Sequence, residues 1–423
     1  MNVLLNLTLA LLLTVAVIAG DDFRTFTNSK DADKESPVLI GKDGNSRFAT
    51  HRHGRMIASD GDKVALAYMS NDTVFGTRVA ELGARGRHLD AMHDLGGRLV
   101  RGKPDDHNYP SLVRDGKGSL HVFYGCHGTP LLYRQRPPGS AEWSAEREIA
   151  SDATYPRAFC GTKDEMFVFF RRGNASAEPV SYGYVVSSDR GVTWSEFQPV
   201  ITSRLEDGVN AWPYVGGVLL RGDTVHLALS WWYYRTDGTG RKEYDDPCYC
   251  RVSLSEHTIH EADGKLLSLP VSRSRMTPIT QTVNLDVNDL CLDHANKPVV
   301  LLVDARQERS VLARAASDGR WDLSSNHPQD EGQSPWHFRF VQDVPPGQGV
   351  FLCAAKGGGV ELSTETTAGS WETIFTPLVD RGKIQFPQAC WNNGQIDLFA
   401  SDPSGPGLPS HIWWHRIRVP GQR

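Results

Sequence analysis

The 423-residue sequence has no basic excess: 45 Lys and Arg stand against 50 Asp and Glu, a formal charge of -5. Gripping a nucleic-acid backbone needs a positive field, so that class is excluded. A second long apolar run is also missing. Val3 to Ile18 is nearly all apolar, and nothing later approaches the roughly 18 residues of a membrane span. Helix-period patterns of useful length are scarce. An even set of cysteines is lacking too: the seven fall at 126, 160, 248, 250, 291, 353 and 390, which leaves at least one thiol unpaired within a single chain. Several sit in apolar, strand-like runs, the setting of buried thiols. Cys248 and Cys250 are too close for an ordinary bridge, and no further Cys or His pair stands at zinc-like spacing. The rest is ordinary globular composition, 39 % hydrophobic and 22 % charged, which excludes a disordered or fibrous chain.

What is present begins with Met1 to Gly20. An apolar run, then small Ala19 and Gly20, then an abrupt Asp21-Asp22, reads as a secretory signal peptide. Its start lacks Lys or Arg, and an uncleaved N-terminal anchor is the alternative. No Cys follows the small residues, so a lipoprotein anchor is not expected. The expected organisation is a signal peptide at 1–20, an N-terminal lead at 21–45 and one domain over 46–423. The mature protein is expected to be secreted or periplasmic, monomeric, and away from the membrane once cleaved. Export permits disulfides.

Gly 40 and Pro 24 point to many turns. Short alternating segments such as Ser119–Tyr124, Glu165–Phe170, Thr224–Leu229 and Gln395–Ala400 each follow a turn, and each turn follows another such segment. That is a hairpin repeated along the chain. An aromatic-Pro pair often opens the unit (Tyr109-Pro110, Tyr155-Pro156, Trp212-Pro213, Phe386-Pro387) and a Trp often closes it (Trp143, Trp194, Trp321, Trp371). Four strands per roughly 50 residues is the period of β-propeller blades. Seven units fit, at 46–100, 101–152, 153–203, 204–272, 280–331, 332–379 and 380–420, so the fold class expected is all-β, a seven-bladed β-propeller. Ser187-x-Asp189-x-Gly191-x-Thr193-Trp194 fits the Asp-box turn of sialidase-like propellers, a structural device with no chemistry assigned to it.

A propeller keeps its active site where the first strands of successive blades converge, so residues opening each unit are the ones to inspect. The second unit opens with Asp105-Asp106-His107-Asn108-Tyr109-Pro110, and its second strand is expected to end near His127. The third opens with Tyr155-Pro156-Arg157, and its second strand ends with Phe170-Arg171. Across two hairpins, His107, His127, Tyr155 and Arg171 would share one channel mouth. The four match the needs of β-elimination at a uronate: a cation for the C6 carboxylate, a base for the C5 proton and an acid for the departing O4. With the overall charge negative, local Arg and His must hold such an anion. Asn108, Arg157, Trp232, Tyr234 and His337 are expected substrate-binding residues at the rim. His121 and His226, in mid-strand, are expected to be packed. Asn174-Ala175-Ser176 matches the N-glycosylation pattern.

These motifs resemble the BNR-type propeller polysaccharide lyases and, among them, the seven-bladed ulvan lyases. The resemblance lies in Asp-Asp-His-Asn-x-Pro, the strand leading to His127, Tyr-Pro-Arg and the strand leading to Arg171. It implies an active centre of His107, His127, Tyr155 and Arg171. It also implies cleavage of a rhamnose–uronic acid linkage in an anionic polysaccharide, leaving an unsaturated uronate. No cofactor is required for that catalysis, and a structural metal ion is left unassigned. The His127-to-Tyr155 connection is short for the family, and Phe170 precedes the arginine. Three other readings stand beside it: a rhamnosyl-glucuronate lyase acting on plant gums, a sialidase-like hydrolase and a non-catalytic carbohydrate-binding propeller. The hydrolase needs three clamping arginines and a Phe-Arg-Ile-Pro-type segment, and that segment is missing before the first blade.

Overall fold

The computed structural model describes residues 36–419 apart from 46–53, 84–87, 101, 174–178, 204, 207–208, 236–242, 305, 326, 328–332, 367–369, 379–382 and 404–408. The expected signal peptide and the pattern at Asn174 lie outside the described residues.

Alternating apolar and polar residues between Asp-, Gly- and Asn-rich turns fold into antiparallel hairpins, as the period-2 pattern requires. The only described helices are two short 3-10 turns, Arg273–Arg275 and Pro335–His337. Six hydrogen-bonded sheets follow one another, one of them with seven strands. That sheet is two units joined by one long strand, Arg147–Cys160. Its first half pairs with His127–Arg136 and its second half with Met166–Arg172. Divided there, the sheets number seven. Their first strands are Ile57–Asp60, Ser111–Arg114, the second half of Arg147–Cys160, Val209–Arg221, Leu285–Leu292, Phe338–Phe340 and Gln385–Asn392. Each meets the next around a ring, and the last meets the first. This is a seven-bladed β-propeller.

The ring is closed by chain ends. Val38–Gly44 pairs with Ser410–Arg418 as the outer strand of the seventh sheet. Residues 38–44, read from sequence as part of a lead, are thus a structural strand. Pairing in this way covers the edge of Ser410–Arg418 and ties the two ends of the ring into one sheet. The core lies between sheets. Phe169, Tyr182 and Tyr184 of the third sheet pack on Leu227, Leu229 and Trp231 of the fourth. Gly216 marks the closest approach, since a Cβ there would sit 1.9 Å from the carbonyl oxygen of Val287 in the fifth sheet.

The turn after Ser181–Ser187 is held by its own side chains. Gly191 N–H donates to Ser187 Oγ at 2.6 Å, and Thr193 N–H to Asp189 Oδ1 at 2.8 Å. Trp194 then packs edge-on against Phe123 and Tyr133 of the second sheet. None of the seven cysteines is in a disulfide. Cys248 and Cys250 face the core of the fourth sheet, where burial pushes the Cys248 thiol up to about 12. His121 and His226 are buried and bonded to the hydroxyls of Tyr133 and Tyr249.

Candidate active site

The second and third sheets supply the site. Asp105 opens a turn before Ser111–Arg114, and its Oδ1 accepts from the backbone N–H and from Nδ1 of His107, both at 2.8 Å. His127 is the first residue of the third strand of its sheet, one tight turn after Leu120–Tyr124. The sequence placed it at the end of the second strand; the extra turn at Gly125-Cys126 keeps it at the same mouth. His127 Nδ1 lies 2.8 Å from Asp105 Oδ2. One carboxylate therefore bridges two imidazoles, whose rings stack 4.4 Å apart at 23°. Asp106 Oδ1 adds a second acceptor, 2.9 Å from His107 Nδ1.

Burial alone would raise the Asp105 carboxyl, but hydrogen bonds from His107 and His127 outweigh it and hold the group well below the usual carboxylate range. Burial likewise lowers His107, and the bonds to Asp105 and Asp106 overcome it, leaving His107 raised to about 8. The charged form of His107 is thus favoured relative to that of a free imidazole.

The shared strand explains how the other two residues arrive. Thr154 is the register partner of His127 on one side and of Arg171 on the other. Its hydroxyl also accepts from Gly128 N–H at 2.9 Å. A single residue thus sets the two cross-strand positions side by side, and the connection from His127 to Tyr155 is the strand His127–Arg136, a loop and the first part of Arg147–Cys160. Tyr155 follows with φ +58°. A bulky residue before proline is held in the left-handed region only where its surroundings demand it. Its ring stands 6.0 Å from His127 and 6.1 Å from His107. Arg171 is 6 % exposed, with Cζ 5.3 Å from the Tyr155 ring and 4.5 Å from the Tyr214 ring. Its Nε and Nη1 are buried with no hydrogen-bond partner among the described residues. A buried guanidinium held over aromatic faces is a receptor for an anion.

The four central residues are thus together, with both imidazoles open to solvent and the phenol and guanidinium nearly buried. The five rim residues separate. Asn108 is buried behind His107, its Nδ2 donating to the Arg98 carbonyl. Trp232 is half-buried, 4.7 Å from Trp212 and 5.5 Å from Tyr214, and extends an aromatic wall away from Tyr155. The side chain of Tyr234 lies outside the described residues. Arg157 goes elsewhere: its Nη2 donates to the carbonyls of Val215 and Gly216 at 3.1 and 2.8 Å. It lines a separate channel cavity of about 40 Å³ with Arg55, Arg221 and Asp289, which has room for a water or two. The turn at Tyr155 breaks the strand's alternation, so a residue two positions later does not share its side. His337 is also set apart, its ring 4.8 Å from Phe386 on a 3-10 turn, where burial and nearby Arg339 push it down to about 4.

Two contributors escaped the sequence reading. Asp105 was only part of a motif, and a carboxylate two residues before a His was the available signal. Tyr214 holds, after Trp212-Pro213, the offset that Arg157 holds after Tyr155-Pro156; the repeated aromatic-Pro opening could have drawn attention to it. Among the described residues, Asp105, His107 and His127 are also the one group whose donor atoms lie close enough to hold a metal ion. Their Nδ1 atoms are committed to Asp105, which makes the trio a hydrogen-bonded relay.

Fold and site define a class: a β-propeller with two imidazoles, a phenol and a guanidinium gathered at one mouth between two adjacent sheets. The sequence pattern of the BNR repeat-containing family matches residues 58–327, and the chain belongs to that family. It is similar to an ulvan lyase of Pseudoalteromonas sp. (strain PLSV), 24 % identical over 208 residues, which cover 43 % of this chain and 42 % of that one. An ulvan lyase of Alteromonas sp. (strain LOR) is 23 % identical over 209 residues, with the same coverage. The matched stretch spans less than half of these relatives. Among solved structures, an ulvan lyase of polysaccharide lyase family 25, bound to -[GlcA(1-4)Rha3S]-, superposes with a TM-score of 0.70 at 15 % identity, covering 90 % of this chain and 95 % of that one. The polysaccharide lyase Uly1 superposes at 0.61 with 9 % identity and 94 % coverage of both. At such identities the structural likeness is one of fold.

Proposed function

We propose that this chain is an exported polysaccharide lyase that cleaves a rhamnose–uronic acid linkage by β-elimination, acting as a monomer and without a cofactor. The observation that carries the reading is the meeting of two imidazoles, a phenol and a buried guanidinium whose Nε and Nη1 have no partner among the described residues, all at one mouth. The similarity to ulvan lyases, one of them bound to a glucuronate–rhamnose sulfate repeat, supports the substrate class.

Arg171, helped by His107, takes the C6 carboxylate. Neutralising that charge acidifies C5–H. His127 or Tyr155 removes the C5 proton; the C4–O4 bond breaks as C4=C5 forms, and Tyr155 protonates the departing O4. In a syn elimination Tyr155 makes both transfers, with the Arg171 guanidinium over its ring. Trp232 offers a flat face for a neighbouring sugar ring. A sialidase-like clamp would need three arginines, and one guanidinium stands in the site among the described residues.

The test is a screen of rhamnose–uronate polysaccharides, sulfated ulvan-like polymers and unsulfated plant-gum polymers alike, for the ultraviolet absorbance of an unsaturated uronate. Absorbance that grows with one of them supports the lyase. Release of sugar without absorbance marks a hydrolase, and binding alone a carbohydrate-binding propeller; either rejects the proposal.

A further inference from the structure

We infer that Asp105 is a positioning residue that sets the tautomer of both imidazoles at once, so that a single carboxylate turns two Nε2 atoms toward the substrate. The inference rests on the proposed lyase reading for its catalytic consequence, while its structural content stands on geometry alone.

A carboxylate can only accept hydrogen bonds. Asp105 Oδ1 takes His107 Nδ1 and Oδ2 takes His127 Nδ1, each at 2.8 Å. Both rings must then carry their hydrogen on Nδ1, which leaves Nε2 as the variable atom of each. The second hydrogen bond to Oδ1, from the His107 backbone N–H at 2.8 Å, pins the carboxylate itself. Stacking of the rings at 4.4 Å then makes double protonation costly, since two cations would face each other at contact distance. With one proton shared between two Nε2 atoms, the pair offers one donor and one lone pair. β-Elimination asks for both: a donor to the carboxylate and an acceptor for a proton. His107, which has Asp106 as a further acceptor, is the ring that keeps the charge. Among the described residues, the groups whose rings face the pair are Tyr109, Tyr155 and through it Arg171, none of them a carboxylate.

The decisive variant is Asp105→Asn. An amide accepts through its oxygen and donates through its nitrogen, so one ring would have to become the acceptor at Nδ1 and carry its hydrogen on Nε2. Nitrogen NMR of the histidine rings in the full chain reads this directly. The expected result is Nδ1–H on both rings in the parent protein and a changed tautomer in one ring of Asp105→Asn. With it should come a fall in kcat of at least about a hundredfold, KM within about threefold and an unchanged circular-dichroism spectrum. Asp105→Glu, which keeps an acceptor-only group, should recover a measurable part of kcat. Nδ1–H retained on both rings of Asp105→Asn, or kcat within twofold of the parent, overturns the inference. If Asp105→Asn does not fold, Asp105→Ser takes its place with the same tautomer readout. If the parent cleaves no polysaccharide, the NMR arm still decides the role of Asp105 while the lyase reading fails separately.

Discussion

At the seam between the seventh and first sheets, Arg416 is buried and paired with a carboxylate. Its Nε and Nη2 bond to the two oxygens of Asp397 at 2.7 and 3.0 Å, and Nη2 also reaches the Gly61 carbonyl. Ser59 and Asn392 both donate to Asp397 Oδ2 as well. At the mouth between the second and third sheets, Arg171 is as deeply buried but bonds to no carboxylate among the described residues and lies over two tyrosine rings. The same residue type serves two ends. Where the guanidinium meets a buried carboxylate at two atoms, the ion pair fastens the ring. Where Nε and Nη1 of a buried cation have no partner among the described residues, the protein carries a desolvation cost that binding an anion would offset.

The comparison is broken or sharpened by substitution. The largest expected effect is Tyr155→Phe, which should lower the elimination rate about 10³-fold by removing the proton donor, with the melting temperature unchanged, measured by ultraviolet product formation and thermal melts. Next, Arg→Met at the two positions should divide cleanly. Arg416→Met should cost about 3 kcal/mol of stability by stranding Asp397, while Arg171→Met should move stability by less than about 1 kcal/mol and lower kcat/KM about 10²-fold. Denaturant unfolding beside initial rates checks both, and equal stability losses would erase the distinction between mouth and seam.

Proton linkage should also separate the regions. His107 is raised to about 8, so its stabilisation is fully present below the ordinary histidine value of about 6.5 and lost as pH rises through about 8. Asp105 is depressed, so its contribution is present above about 4 and lost as pH falls further. Substrate affinity should decline above pH of about 8, and His107→Gln should remove that limb. A KM that stays flat through that range would take His107 off the carboxylate. The smallest effect is Trp232→Ala, a rise in KM of about fivefold from loss of one stacking face, with kcat unchanged.

Much of the fold was legible because its signals are local. A hairpin with Asn393-Gly394 at its tip, or a Trp that closes a unit, can be read within ten residues, since backbone sterics and apolar alternation act at that range. His107, His127, Tyr155 and Arg171 were legible for the same reason, each standing at a unit opening or a strand end. Arg157 was expected at the rim as part of the Tyr155-Pro156-Arg157 opening, but the backbone turns at Tyr155 and its guanidinium goes to the Val215 and Gly216 carbonyls. The strand Val38–Gly44 escaped notice because its partner lies at the other end of the chain.

By itself, the amino-acid order determined the repeat, the count of sheets and the four side chains worth placing at a mouth, because turn chemistry and strand period are properties of neighbouring residues. The tertiary structure alone decided that one strand would serve two sheets, that Thr154 would set His127 beside Arg171, and that Asp105 would hold two imidazoles. Those are distances between groups far apart along the chain, and packing between sheets, which no local pattern encodes, sets them.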